Sequence, residues 1–503
     1  MPGAEALAAY VETRERADSP RWVFADTAAD YPAVLAALGS RATPRRCHDL
    51  ALTEALLRRY AGEPLDVAPE PARRGAQPDL FAVDPPRADP AEPLARAVEA
   101  YADQRRRIAA TGLPQRFDLL VAAESAGALA ATEMTAAGLP WDVAAHDTVL
   151  TELLGTADPA GGRPSRLAAL AADVHEGFGR PVNPDSPADL LAAFRQDGYD
   201  LDTTRAWALR NLDHPAIEAL LAYKDLVRIH TANGWAWQAA WVHDGRFRPT
   251  YVPGGVVSGR WATKGGGALQ IPRRLRAAVV ADPGHVLVVA DAGQADPRVL
   301  AAMSGDPGMT EAARTDDMYE ALAAQAFGGD RGRAKLGLLG AMYGQTSGEA
   351  AAPLATLRRR YPAALSLLEH AARRGEQGEL VRSHLGRTCP PPGEGELVTQ
   401  ARARARGRFT RNFVVQATTS EWTLALLAGL RLALADLRTP DRRADLVFYQ
   451  HDEVMVHADE TLADDVADAV REAGAAATRL LFGDTQVRFP LDVKAAKTYA
   501  DAH

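Results

Sequence analysis

Two separated stretches of the chain each place carboxylates at the end of an apolar run. Asp291 directly follows residues 286–290, a β-branched run typical of a strand buried on both faces. Asp452 and Glu453 interrupt the apolar residues 446–457, a pattern that predicts a hairpin with both acids at its tip. If the strands share one sheet, their carboxylates would bind divalent metal ions. Taken alone, Asp291 could equally cap the helix that follows it.

A second group of residues has the spacing of one helix face. Four residues recur every four positions: Arg331, Lys335, Leu339 and Tyr343. Asp330 and Gly344 stand where an N-cap and a C-terminal stop are expected. Two cations near the positive end of a helix are unfavourable unless an anion, such as a triphosphate, binds there. The alternative is an Arg/Lys pair that is simply solvated on an exposed face.

The composition limits what kind of protein could hold these residues. A chain of 503 residues is long enough for two to four domains, and its net charge of −8 excludes a uniformly basic nucleic-acid coat. The two cysteines, Cys47 and Cys389, lack metal-binding spacing and favour a reducing compartment. The N-terminus does not resemble a signal peptide, and no apolar run approaches the ~18–20 residues that span a bilayer. We therefore expect a cytoplasmic protein with no membrane contact.

The first half of the chain supplies an α/β fragment and then helices. Residues 21–61 alternate strand and helix, with Asp26, Asp30 and Asp49 as acidic candidates. Residues 64–94 are rich in proline and predict a linker or a long surface loop. Helical patterning then continues to about residue 241, and residues 183–185 predict the cap of one of these helices.

The second half brings glycine-rich, basic and helical segments around the acidic strands. From residue 250 onward, polar loops with glycine and arginine alternate with short strands. Five arginines crowd residues 402–411, where some of them must be simply solvated. Residues 461–482 predict an amphipathic helix, and residues 487–493 predict the final strand.

The order and spacing of these motifs resemble the polymerase core of family A DNA polymerases, the bacterial DNA polymerase I type. The family's Asp-Tyr-Ser-Gln-x-Glu-x-Arg run corresponds to residues 291–298, and its Arg-x3-Lys-x3-Phe-Gly-x2-Tyr-Gly helix corresponds to residues 331–344. Its His-Asp-Glu hairpin corresponds to residues 451–453. The supporting matches are Arg260 and Gln270 and, ahead of the long helix, Arg408, Asn412 and Gln416. The likeness covers about residue 116 to the end of the chain.

The resemblance implies a role for each matched residue. Asp291, Asp452 and the backbone carbonyl of Ala292 would hold two Mg²⁺ ions, for which Mn²⁺ could substitute. The implied catalytic residues are Asp291, Asp452, Lys335 and Glu453. The residues implied in binding the incoming deoxynucleoside triphosphate are Gln294, Asp296, Tyr319, Arg331, Lys335, Leu339 and Tyr343. The residues implied in binding primer-template DNA are Arg260, Gln270, Arg408, Asn412, Gln416 and His451.

The same resemblance implies a multi-domain α/β protein with the right-hand polymerase fold. Its expected parts are a reduced exonuclease-like α/β domain (1–115, with the proline-rich loop 64–94), a helical thumb-like region (116–245), a palm (246–305 and 417–503) and fingers (306–416). We expect no exonuclease activity, because no Asp-x-Glu pair stands on an initial strand. The resemblance also implies a monomer that is associated with the nucleoid.

Three departures from the family pattern concern the nucleotide. Asp296 replaces a glutamate and is one methylene shorter, which predicts weaker discrimination against ribonucleotides. Leu339 replaces an aromatic residue, and Tyr319 replaces a phosphate-binding histidine. The leading hypothesis is a template-directed DNA polymerase for repair or gap filling. One alternative is a catalytically silent module that binds primer-template DNA, and another is a polymerase that uses ribonucleotides or copies past lesions.

Overall fold

The computed structural model describes residues 3–39, 42–63, 91–267, 271–344 and 351–502. The chain divides into two compact units. The first comprises Met1–Ala137, Thr250–Ala262 and Val288–Ala495, and the second comprises Gly138–Pro249, Thr263–Leu287 and Ala496–His503. Among the described residues, no helix is both long and apolar enough to cross a membrane. The finer domain bounds expected from the sequence stay a prediction.

The described residues at the start of the first unit form two strands among five helices. In chain order these are α1 (Ala4–Ala17), β1 (Arg21–Phe24), α2 (Thr27–Leu38), β2 (Arg46–Asp49), α3 (Leu50–Tyr60), α4 (Ala91–Ala109) and α5 (Pro114–Ala137). Strands β1 and β2 pair in parallel, which confirms the α/β fragment predicted for residues 21–61. The Tyr31 hydroxyl donates to Glu133 at 2.7 Å and so fastens α2 to α5. The proline-rich residues 64–90 lie outside the described residues.

The second unit is helical with one small sheet. Its elements are β3 (Leu139–Pro140), α6 (Val143–Leu154), α7 (Ser165–Phe178), α8 (Pro187–Gln196), α9 (Ala206–Leu209), α10 (Ile217–Asn233), α11 (Trp235–Trp241), β4 (Val242–His243) and β5 (Arg246–Phe247). The cap predicted at residues 183–185 was wrong, because the Ser186 side chain accepts from the Asp189 N–H and caps α8. Asp185 instead binds Arg163 at 2.6 Å and Tyr223 at 2.7 Å.

The central sheet of the first unit has the strand order β11-β8-β10-β9. The strands of this half of the chain are β6 (Thr250–Val252), β7 (Ala262–Lys264), β8 (His285–Ala292), β9 (Ala444–Gln450), β10 (Glu453–Asp459) and β11 (Leu491–Ala496), and a 3-10 turn spans Arg273–Ala278. Residues 286–290 of β8 are all buried, as the sequence predicted. The predicted final strand is present, but it runs from Leu491 to Ala496 and not over residues 487–493, because Pro490 has no N–H for the ladder and Val487 packs into the core instead.

Among the described residues of this part of the chain, eight helices lie between or after the strands in sequence. They are α12 (Ala295–Ser304), α13 (Pro307–Ala312), α14 (Met318–Ala326), α15 (Arg331–Tyr343), α16 (Ala351–Arg360), α17 (Pro362–Glu376), α18 (Gln400–Leu437) and α19 (Ala463–Phe482). One buried apolar cluster joins residues of α12 to α17 with Phe413, Val414 and Val415 of α18. The Trp422 indole donates to the Thr478 hydroxyl at 2.9 Å and ties α18 to α19. The predicted amphipathic helix at residues 461–482 is confirmed as α19.

Candidate active site

The end of β8 and the tip of the β9–β10 hairpin meet through one backbone hydrogen bond. The Ala292 N–H donates to the Asp452 carbonyl at 3.0 Å. The pairing of Gln450 with Glu453 confirms the predicted hairpin, but it makes Glu453 the first residue of β10 and leaves only Asp452 of the two acids in the turn. His451 occupies that turn with φ of 59°, a left-handed conformation. Asp452 supplies the acceptor of this hydrogen bond, and Asp291 directly precedes its donor. The two acids therefore lie close together where β8 ends and the hairpin turns.

Burial raises the pKa of Asp452 to about 7, and repulsion from Asp291 and Asp296 adds to the rise. Arg260 lies close enough to oppose this shift. A cation bound beside Asp452 would lower this raised pKa, because a nearby positive charge stabilises the ionised carboxylate. Burial lowers the pKa of His451, and the positive charge of Arg260 lowers it further.

The donor set suits a cation that also binds substrate oxygens. Among the described residues, no three His, Cys, Asp or Glu side chains form a group that could hold a metal ion. Two carboxylates remain, from Asp291 and Asp452, together with the carbonyl of the nearly buried Ala292. Mg²⁺ is commonly bound by one or two carboxylates, with water and phosphate completing its octahedron. The side chain of Glu453, 7% exposed, lies directly after Asp452 in β10.

Asp296 lies in the first turn of α12, and each of its carboxylate oxygens has its own contacts. Oδ1 accepts from the Thr419 hydroxyl of α18 at 2.6 Å. Oδ2 accepts from the Tyr343 hydroxyl of α15 at 3.3 Å, and the Arg260 guanidinium lies 3.5 Å from it. Three elements therefore converge on this carboxylate, and the C-terminal end of the predicted helix stripe faces α12.

The N-terminal end of the stripe faces α14. Asp330 caps α15 by accepting from the Arg333 N–H. The Arg331 guanidinium and the Lys335 ammonium lie 5.7 and 6.0 Å from the centre of the Tyr319 ring. Burial raises the pKa of Tyr319 to about 12, so its hydroxyl is protonated at neutral pH. Both cations therefore lie on the α14 side of α15, and Leu339, one turn further along, packs against the apolar core.

An acid that the sequence analysis did not single out neutralises part of this stripe. Asp317 caps α14, and its Oδ2 accepts from Arg331 Nε at 2.8 Å. Its Oδ1 accepts from the Gln294 side chain at 3.0 Å, while Gln294 Oε1 accepts from the Met318 N–H at 2.8 Å. Burial alone would raise the pKa of Asp317, but the Glu320 N–H and Arg331 lower it. Its position just before a helical run was the signal that could have predicted its capping role.

The three matched polar residues of α18 lie within that helix, and the expectation that they precede it was wrong. Arg408, Asn412 and Gln416 recur every four residues along one side of it. Gln416 hydrogen-bonds the Tyr343 side chain, and Arg408 is exposed beside Gly344. Asn412 Oδ1 is buried without a hydrogen-bond partner among the described residues. Gln270, the remaining matched residue, lies outside the described residues.

One buried arginine holds the site's framework together. Arg298, 0% exposed in α12, donates to the backbone carbonyls of Gly293, Ala313, Thr315, Asp316 and Arg488 at 2.6–3.0 Å. Burial lowers its pKa to about 10, which leaves it charged at neutral pH. It therefore fixes the loop that leads from α13 to Asp317.

The acidic residues of the N-terminal fragment are committed to the backbone. Asp26 caps α2 by accepting from the Ala28 N–H at 2.9 Å. Asp30 accepts from two backbone N–H groups of the turn before it. Asp49 caps α3 through the Leu52 N–H at 2.8 Å and also accepts from the Thr27 N–H. These contacts support a structural role for the three carboxylates.

The chain is similar to known polymerases in sequence. The model of the family described as DNA polymerase family A matches residues 163–501. DNA polymerase I of Deinococcus radiodurans is 24% identical over 368 residues, which are 65% of this chain and 37% of that protein. DNA polymerase I of Pseudomonas aeruginosa is 27% identical over 289 residues, which are 52% of this chain and 30% of that protein. The chain thus spans well under half the length of these relatives.

The chain is also similar in fold to a solved polymerase domain. That structure is the POL domain of Pol1 from M. smegmatis in complex with DNA primer-template and dNTP. The likeness has a TM-score of 0.76 at 21% identity and covers 100% of this chain and 89% of that one. Together with the mixed helices and strands described above, it confirms the expected multi-domain α/β fold.

Proposed function

Because the chain belongs to DNA polymerase family A, we propose that it is a template-directed DNA polymerase that adds deoxynucleotides to a primer 3′-hydroxyl. The observation that carries the proposal is the bond from the Ala292 N–H to the Asp452 carbonyl, 3.0 Å long. It brings together two acids that are remote in the sequence, in the unit that also holds the cations of α15. This arrangement suits phosphoryl transfer, which depends on positioning and charge stabilisation.

Asp291, Asp452 and the Ala292 carbonyl would hold the divalent cations, Mg²⁺ or in its place Mn²⁺. Bound there, these ions would lower the pKa of the attacking hydroxyl and neutralise charge on the triphosphate. The raised pKa of Asp452 supports this assignment, since its charge is poorly compensated by the protein alone. Glu453 would add negative charge beside the ions without being a ligand.

Arg331 and Lys335 would bind the phosphates of the incoming nucleotide. Both side chains are exposed at the N-terminal end of α15, where the helix dipole adds to their attraction for an anion. Lys335 would act in catalysis by stabilising charge on the triphosphate as the new bond forms. Gln294 would help to position Arg331 through its hydrogen bond to Asp317, and Tyr319 would help to position Arg331 and Lys335 through its ring.

Asp296, Leu339 and Tyr343 would meet the sugar and base of that nucleotide. Asp296 is held between Thr419, Tyr343 and Arg260, so a ribose 2′-hydroxyl entering there would meet a fixed carboxylate. Because aspartate reaches less far than glutamate, we propose weaker rejection of ribonucleotides. Leu339 offers an apolar contact in place of aromatic stacking.

The remaining matched residues would contact the nucleic acid. They are Arg260, Gln270, Arg408, Asn412, Gln416 and His451. Arg408 is exposed and suits a phosphate, whereas Asn412 and Gln416 offer amide groups to base edges. We further propose that the protein acts as a monomer with DNA in the cytoplasm, in repair or gap filling.

Primer extension tests the proposal. Wild-type protein is given a primer-template duplex with each dNTP, and separately with each NTP, in Mg²⁺ or Mn²⁺. We expect templated extension with dNTPs in Mg²⁺ and measurable extension with NTPs. Binding of the duplex without extension by any nucleotide in either metal would contradict the proposal and favour the silent binding module.

A further inference from the structure

Thr419 lies against the carboxylate of Asp296, although none of the matched motifs includes it. Its hydroxyl lies 2.6 Å from Asp296 Oδ1, and the residue is 5% exposed in the middle of α18. The same hydroxyl lies 3.1 Å from the Val415 carbonyl one turn earlier. A hydroxyl has a single proton to donate, and the carboxylate is a stronger acceptor than the carbonyl because its contact is shorter and charge-assisted. The Thr419 hydroxyl therefore donates to Asp296.

The two oxygens of Asp296 have contacts of unequal quality. Oδ2 has the Tyr343 hydroxyl at 3.3 Å and the Arg260 guanidinium at 3.5 Å, both long for strong hydrogen bonds. The Thr419 contact at Oδ1 is the short one. Tyr343 is also 42% exposed, so its hydroxyl can turn toward other partners. The orientation of the carboxylate therefore depends mainly on Thr419.

We propose that Thr419 is a positioning residue that sets discrimination between ribose and deoxyribose by fixing the Asp296 carboxylate. This inference rests on the proposed function, in which Asp296 meets the sugar. Held from behind by Thr419, the carboxylate cannot swing away from an added 2′-hydroxyl. Without that hydrogen bond, Oδ1 loses its short contact and the side chain turns about χ2 toward Tyr343 and Arg260. The space beside the sugar then widens.

Two substitutions separate the hydrogen bond from the shape of the side chain. Thr419→Val keeps nearly the same volume and removes the hydroxyl, whereas Thr419→Ser keeps the hydroxyl and removes a methyl group. The readout is kcat/KM for one dNTP and for the matching NTP. A hydrogen bond to a charged group is strong enough to change this NTP-to-dNTP ratio by about three- to tenfold, so we expect the ratio to rise by that factor in Thr419→Val. Thr419→Ser should stay close to wild type.

Coupling to Asp296 gives the decisive control. In an Asp296→Ala background, Thr419→Val should leave the ratio unchanged, because the carboxylate it positions is gone. An unchanged ratio in an active Thr419→Val enzyme would overturn the inference alone, as would equal effects of Val and Ser or an additive effect in the Asp296→Ala background. Failure of the wild type to extend any primer would overturn the proposed function, and this inference with it.

Discussion

Replacing Asp317 with asparagine should strengthen nucleotide binding. The Asp317 carboxylate accepts from Arg331 Nε at 2.8 Å, and in the proposed site the same guanidinium would bind a triphosphate, so the two anions would compete for it. Asparagine keeps the oxygen that accepts from Gln294 and from the Glu320 N–H, so the helix cap persists while the charge is lost. The variant therefore removes one ion pair and preserves the local structure.

The size of the effect follows from the exposure of the pair. The Arg331 and Asp317 side chains are 49% and 34% exposed, so solvent screens their attraction. Pairs of this kind contribute about 0.2–1 kcal/mol, which corresponds to about a 1.4- to 5-fold change in an equilibrium constant. We therefore expect KM for the dNTP to fall by about 1.4- to 5-fold in Asp317→Asn, with kcat little changed.

Steady-state primer extension at varied dNTP concentration measures this effect. Asp316→Asn is the matched control, since it removes the same charge one residue away, from a side chain that pairs with Arg488. Its KM should stay near that of the wild type. A rise in KM for Asp317→Asn would refute the reasoning, because it would mean that Asp317 orients Arg331 for the phosphates instead of competing with them.

Two further predictions concern stability. Burial raises the pKa of Glu421 to about 7, so its contribution to stability is present below its ordinary pKa and is lost as the pH rises through about 7. The midpoint temperature of thermal unfolding of the wild type should fall as the pH rises from 5 to 8, and Glu421→Gln should lack that pH dependence. Plots of midpoint temperature against pH that run parallel for the two proteins would contradict the assignment. Arg298→Met leaves buried backbone carbonyls without their donor, at about 1–3 kcal/mol for each carbonyl that water does not reach, so chemical denaturation should show a loss of about 3–5 kcal/mol in the free energy of unfolding. A loss of unfolding free energy below about 1 kcal/mol would show that Arg298 does not fix the loop between α13 and Asp317.

The sequence predicted those parts of the site that depend on local signals. The bounds of α15 follow from a capping Asp330 and from Gly344, whose φ of 75° suits glycine. The hairpin tip follows from charged residues between two apolar runs. These signals depend only on residues that are neighbours in the sequence, so they can be recognised without knowledge of the tertiary structure.

The parts that escaped prediction depend on contacts between remote elements. Thr419 is an ordinary helix residue in the sequence, and only the packing of α12 on α18 places it 2.6 Å from Asp296, 123 residues earlier. The sequence predicted that a bound anion would balance the charge of Arg331, but Asp317 at the start of α14 already forms an ion pair with it. The final strand begins late because tertiary packing takes Val487 into the core. Residue types alone carry no record of these distances.

The central claim is that Asp291 and Asp452 bind cations together and that these cations are needed for transfer. The most direct test is single-nucleotide incorporation by Asp452→Asn in Mg²⁺, with the dissociation constant of the primer-template duplex measured on the same preparation. Loss of a metal ligand removes several kcal/mol of charge stabilisation, so incorporation should fall by about 10³-fold while duplex binding stays equal or tightens. Incorporation within about tenfold of the wild type would contradict the claim.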